Sequence, residues 1–128
     1  ITRDLFLLLT IQNKPIYYIL RIRQYMEVKF VNEELKLLYQ TSSSKKYKNV
    51  PAQIAKKLVR AVDVLSAATV IQDLWNFPSY RFEHLQVNNR YSMRMDKTWR
   101  LEMEIEWTNN ECTIGIIGLY DLTKHYGD

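Results

Sequence analysis

Arg94, Arg100 and Glu83 are the residues from which chemistry can start, because each belongs to a segment whose apolar side chains recur every second position. Tyr91, Met93 and Met95 alternate with Ser92, Arg94 and Asp96, and Leu101, Met103, Ile105 and Trp107 alternate with Glu102, Glu104 and Glu106. Strict alternation marks strands with one buried and one wet face. Arg94 and Arg100 are therefore expected on the wet sides of adjacent strands, with Glu83 on the strand before them. A second charged group, Lys45, Lys46, Lys48, Lys56, Lys57 and Arg60, runs with no acid between its members, while Glu102, Glu104, Glu106 and Glu111 crowd the other end. Such a layout can present one basic face to phosphates. A solvated loop and a solvated helix face satisfy the same charges equally well.

Other site types lack their residues. His84 and His125 are far apart and no Cys, His or Asp spacing resembles a closed metal site. Gly115, Gly118 and Gly127 fall in or after the last apolar run, so no glycine-rich phosphate loop is expected, and no Ser/His/Asp triad follows from spacing.

The elements that must hold these residues read as α+β. Met26-Glu-Val-Lys-Phe30 reads as a first strand. Asn32 before Glu33 and Glu34 is a helix start, since an Asx side chain accepts orphan N–H groups and acids favour the positive end of the helix dipole. Leu35, Leu38 and Tyr39 give that helix a short apolar face, and Thr41 to Lys46 is a polar connection. Pro51 is placed in the first turn of a second helix, where Ile54, Leu58, Ala61, Val62 and Leu65 follow at helical spacing. Val70, Ile71, Leu74 and Trp75 predict one or two further turns before Pro78. From Tyr80 the period is two, with turn signals at Asn88-Asn89, Asp96-Lys97 and Asn109-Asn110, and the apolar run Thr113 to Leu119 reads as a central strand. The expected architecture is an N-terminal strand and two helices packed on an antiparallel sheet of about four further strands.

With 128 residues, a net charge of +4, nine Tyr, four Phe and three Trp but only three Gly and three Pro, the chain reads as one packed domain. Cys112 is a single thiol, which builds neither a disulfide framework nor a zinc site, so a reducing cytoplasm is the expected compartment. Residues 1–25 carry Arg3, Lys14, Arg21 and Arg23 against Asp4. Their apolar runs, Leu5 to Leu9 and Ile16 to Leu20, are broken by Gln12 to Pro15, too short for a membrane span or a secretory signal. The segment reads as an N-terminal extension to a domain of residues 26–128: leader sequence, a clipped end, or a helix or strand that covers the domain.

Three stretches carry a resemblance. Tyr80-Arg-Phe-Glu-His-Leu-Gln86, Tyr91-Ser-Met-Arg-Met-Asp-Lys-Thr-Trp-Arg-Leu101 and Tyr120-Asp-Leu-Thr-Lys-His-Tyr126 resemble, in this order, the RelE/ParE toxin superfamily and most of all its HigB-type killer proteins. The resemblance covers residues 26 to 126 and implies a RelE-like fold and a ribosome-dependent mRNA endonuclease that needs no metal or other cofactor. It also implies a co-encoded HigA-like helix-turn-helix antitoxin, with the ribosome and its mRNA as the other partners and no membrane. In that chemistry the RNA 2′-hydroxyl attacks the adjacent phosphate, so a base takes its proton, an acid protonates the leaving 5′-oxygen, and cations neutralise the phosphoryl oxygens.

Carried over residue by residue, Arg100 matches the arginine of the aromatic-Arg pair and would stabilise the transition state, a role that suits a planar guanidinium fork. Glu83 matches the general base of YoeB-like relatives, though it reads equally as a surface glutamate on an edge strand. Arg94 matches the strand arginine and would hold a phosphate, or would pair across the sheet with a glutamate. Tyr120 matches a tyrosine that stacks on a displaced base, and His125 with Tyr126 would supply the acid, unless His125 is merely exposed. His84, where relatives often have proline, carries no role. The run from Lys45 to Arg60, with Arg81 and Arg90, would face RNA. Two departures stand out: Leu85-Gln86-Val87 replaces the family's Leu-Lys-Gly, and Asp121 occupies the position of the histidine that closes many HigB sequences. The same scaffold also serves ParE-type inhibitors of DNA gyrase, and a degenerate toxin would keep only its antitoxin contact.

Overall fold

The computed structural model describes residues 26–125; the expected extension 1–25 and Tyr126 lie outside the described residues. Met26 is buried and leads into β1 (Glu27–Phe30). Asn32 then starts α1 (Glu33–Thr41) as its residue type predicts, with Oδ1 accepting the N–H groups of Glu34 and Leu35 at 3.0 and 3.1 Å. Such a cap is worth about 1 kcal/mol. Helix α1 ends at Ser42, whose φ of 64° turns the chain out of the helix while its N–H still reaches Leu38 O.

Helix α2 (Ala52–Ala67) buries Ile54, Leu58, Ala61, Val62 and Leu65, the predicted apolar face, together with Ala55. Pro51 stands one residue outside the expected first turn: its backbone is extended and its carbonyl accepts the N–H groups of Ile54 and Ala55. The predicted further turns form as a 3-10 helix over Ile71–Asn76. Asp73 accepts the N–H and hydroxyl of Thr69 and the N–H of Val70, which fastens its start, and Ile71 N–H is drawn to Thr113 O at 2.7 Å. A second 3-10 turn, Pro78–Tyr80, ends at Arg81 with φ 45°, so the strand pattern predicted from Tyr80 begins later.

The sheet contains β2 (Glu83–His84), β3 (Tyr91–Arg94), β4 (Trp99–Trp107) and β5 (Gly115–Lys124) in the order β1-β5-β4-β3-β2. β2 to β5 form the expected antiparallel meander, and β1 joins it parallel to β5. The central position of the last strand follows from its apolar run, since β5 is flanked on both sides. Met93, Leu101, Met103, Ile117, Leu119 and Leu122 leave the sheet on one face and meet Leu35, Leu38, Ile54, Leu58 and Leu65 from the helices in one buried cluster. The architecture is α+β, with both helices on that face.

Gly115 opens β5 opposite Trp107, where an added Cβ would stand 2.6 Å from the Glu106 carbonyl oxygen. Alanine here lowers the entropy of the unfolded chain, worth about 0.4–1 kcal/mol, but overpacking against backbone costs about 1–3 kcal/mol. Gly115→Ala is therefore expected to lower the urea midpoint. A second expectation concerns acid. The Ser44 hydroxyl donates to Glu34 Oε1 at 2.6 Å and this bond holds the Glu34 carboxyl below its usual 4.5. A depressed folded-state value gives stability that is complete above the unfolded value and is lost as pH falls through the folded one. Ser44→Ala should flatten that loss below pH 4.5, read from urea midpoints across an acid titration.

Candidate active site

Strand register brings Glu83, Arg94 and Arg100 onto the sheet face turned away from the helices. Ser92 lies between Glu83 and Glu102, and Arg100 lies between Arg94 and Thr123, so these side chains share one face. Arg100 Nη1 donates to Glu83 Oε1 at 3.0 Å. The wet position expected for Arg100 is corrected: the residue is only 8% exposed. Its strand is central, flanked by β3 and β5, and the Glu83 carboxylate of the edge strand meets the guanidinium. Glu83 itself is exposed, as an edge-strand glutamate should be. The Ser92 hydroxyl is buried with no hydrogen-bond partner among the described residues.

A second cluster surrounds Tyr120. The Arg90 guanidinium stacks 3.7 Å from the ring centroid, donates to Glu102 Oε1 at 3.2 Å and lies 3.8 Å from Glu104 Oε2. Thr123 Oγ1 donates to the other Glu102 oxygen at 3.0 Å. Burial works against the Arg90 cation, but the Glu102 hydrogen bond and the neighbouring charges raise its pKa further above the usual value. Arg90, expected to face RNA, thus occupies one face of the ring that was expected to stack on a base.

Sequence reading missed a third cluster, because its members are far apart along the chain. Asn32 Nδ2 donates to Tyr47 Oη at 2.8 Å and to Tyr120 O at 3.0 Å. The Tyr47 hydroxyl in turn donates to Asp121 Oδ1 at 2.6 Å. Burial first, and then the Asp121 carboxylate, push the Tyr47 phenol well above its ordinary range. Opposite Glu102, the register of β4 and β5 slips by one residue, so that Tyr120 and Asp121 share one partner. A bulge of this kind redirects side chains. The Asn32 amide and the Tyr47 hydroxyl hold it, and only the Asx cap of α1 was a visible signal in sequence.

The basic run does not act as one patch. Lys46 borders a cleft with Tyr47, Asp121 and Lys124, whereas Lys57 and Arg60 of α2 border a different cleft with Tyr80, Arg94 and Lys97. Lys45, Lys48, Lys56 and Arg81 are exposed. His84 stacks on Tyr91 at 4.5 Å and its Nε2 shares a hydrogen with Asn89 Oδ1 at 2.6 Å, a local structural role. His125 is half-buried and its N–H donates to Thr98 O, which brings the tail beside the β3–β4 turn. Among the described residues, no three His, Cys, Asp or Glu side chains gather as metal ligands, and no helix is long and apolar enough to cross a membrane.

Comparison with known proteins gives three similarities. The family of HigB-like toxins, described as RelE-like toxins of the type II toxin-antitoxin system HigB, matches residues 28–117. Toxin HigB-1 of Vibrio cholerae serotype O1 is 33% identical over 78 residues, which span 59% of this chain and 80% of that protein. The YoeB/ParE toxin from Agrobacterium tumefaciens aligns in structure over 79% of this chain and 100% of its own, with a TM-score of 0.45 and 12% identity. The matched residues run from β1 into β5 and include Glu83, Arg94 and Arg100, and on that match the chain belongs to the HigB-like toxins of type II toxin-antitoxin systems.

Proposed function

We propose that this toxin is a ribosome-dependent endoribonuclease that cleaves translated mRNA. The observation that carries the reading is the Glu83–Arg100 pair at 3.0 Å, with Arg94 directly across the strand from Arg100. A phosphodiester entering this face competes with Glu83 for the Arg100 guanidinium. Its oxygens take the fork, and the displaced carboxylate is left beside the ribose, where it accepts the 2′-hydroxyl proton. The 2′-oxygen then bonds to phosphorus and the bond to the 5′-oxygen breaks, giving a cyclic phosphate and a 5′-hydroxyl. Arg100 and Arg94 neutralise the charge that builds on the phosphoryl oxygens. The proton for the leaving 5′-oxygen comes from the tail, His125 or Tyr126. Tyr120 offers a ring for an unstacked base, which takes the place of the Arg90 guanidinium.

A type II toxin has an antitoxin partner. Here we assign a HigA-like helix-turn-helix protein to that part, with the ribosome and mRNA as targets and the cytoplasm as compartment. One observation counts against the nuclease and keeps the gyrase-inhibitor alternative open: Gln86 stands where the resemblance implies a lysine, which removes a cation from the loop after β2.

Ribosomes carrying a defined mRNA, incubated with the chain, decide between the readings. Primer extension is expected to map cuts inside codons at the A site. Arg100→Ala should slow them about 10²–10³-fold, the usual cost of removing a donor to a developing oxyanion. Glu83→Gln should also slow them, since the amide cannot take the 2′-hydroxyl proton. Growth arrest without cuts would move the reading to gyrase, and absence of both would mark a degenerate toxin.

A further inference from the structure

A cleft of about 450 Å³ lies at the end of the sheet, where the β3–β4 turn meets α2 and the second 3-10 turn. Its cations come from separate parts of the chain: Lys57 and Arg60 from α2, Arg94 from β3 and Lys97 from the turn. Its one acid is engaged, since Asp96 Oδ1 accepts the N–H groups of Thr98 and Trp99, both at 2.7 Å. Lys57, Arg60 and Lys97 are exposed and make no ion pair among the described residues. Elsewhere on the sheet the balance is opposite: Arg90 is shared by Glu102 and Glu104, Arg100 is held by Glu83, and Glu106 adds a further acid. A polyanion is therefore drawn to the cleft rather than along the acidic row of β4.

Two further features narrow the occupant. Tyr80, half-buried on the wall, supplies an aromatic surface beside the cations, and the volume lies in the range of small-ligand sites. Cations with an interleaved aromatic ring are how proteins hold single-stranded nucleic acid without reading its sequence. Position supplies the rest: Arg94 borders the cleft and is the register partner of Arg100, the arginine that Glu83 holds.

We propose that this cleft is a nucleotide subsite, holding the phosphate of a residue next to the scissile one on Lys57, Arg60 and Lys97 while its base packs on Tyr80, with Arg94 at the border kept for the scissile phosphate. The inference rests on the nuclease reading for its substrate class. It gives Lys57 and Arg60 of α2 a role: they guide the RNA strand toward Arg100, and the affinity they add is blind to sequence.

The test uses a short fluorescein-labelled oligouridylate with 2′-O-methyl sugars, which binds but cannot be cleaved, read by fluorescence anisotropy at several salt concentrations. Lys57→Glu/Arg60→Glu is expected to weaken binding about tenfold and to make the salt slope shallower by about 0.7, the loss of one phosphate contact on a single strand. Lys29→Glu/Lys36→Glu, which removes the same charge from exposed positions away from the cleft, should do much less. The charge reversals change exposed side chains, and circular dichroism melts check that they and Tyr80→Ala, at a half-buried position, fold. In competition, uridine 3′-monophosphate should displace the probe better than inorganic phosphate, and Tyr80→Ala should abolish that preference. Equal losses in the two charge-reversed proteins, or wild-type affinity after the α2 reversal, overturn the subsite. Equal competition by both anions with no effect of Tyr80→Ala overturns the nucleotide and leaves a bare phosphate site. The two readings fail separately: cleft-dependent binding by a chain that never cuts ribosome-bound mRNA sinks the nuclease and keeps the cleft, whereas cutting that is indifferent to the α2 reversal does the reverse.

Discussion

Strand β4 is hydrogen-bonded along both edges, to β3 over Arg100–Met103 and to β5 over its whole length. That double pairing is the constraint on which everything else hangs. A strand held on both sides cannot shift by one residue without sending Leu101 and Met103 into solvent and Arg100 and Glu102 into the core. The same register that completes the core therefore lines up Arg94, Arg100 and Thr123 across the opposite face. Packing energy and site geometry are two consequences of one alignment, and the polar face is rigid because the apolar one is close-packed.

That rigidity has a limit at the bulge in β5. Where Tyr120 and Asp121 together face Glu102, the ladder alone does not specify where either side chain goes. The Asn32 amide does, because it caps α1 with its oxygen while its nitrogen reaches both Tyr47 and the Tyr120 carbonyl. One side chain thus links the start of α1, the loop between the helices and the C-terminal strand. Asp121, at the position where many family members have a histidine, is bound to Tyr47 and to the N–H of Leu122. Its carboxylate belongs to the scaffold of this site.

Charge on the open face is arranged in opposed groups rather than as a uniform basic surface. Acids of β2 and β4 neutralise Arg100 and Arg90, whereas Lys57, Arg60 and Lys97, which make no ion pair among the described residues, border the cleft past the β3–β4 turn. A near-neutral domain can in this way keep one strongly positive cleft, because exposed charges more than a Debye length apart scarcely feel each other at physiological salt.

Local patterns in the sequence determined most of the framework. The Asx cap of α1, the apolar stripe of α2, the alternation in β3 and β4, the hairpin signals and the order of the family motifs are all properties of neighbouring residues, and secondary structure answers to neighbours. Pro51 and the 3-10 segment were displaced or retyped because a cap and a tie to Thr113 depend on where the backbone goes next. Tertiary structure alone decided the rest: Arg100 is buried beside Glu83, Arg90 covers Tyr120, Tyr47 reaches Asp121, and the basic run is divided between two clefts. Each of these joins residues 12 or more positions apart except the last, which is set by how α2 lies against the sheet. Charge and periodicity carry no record of such pairings, since an arginine on a wet strand face has the same sequence signature whether it meets water, a glutamate or an aromatic ring.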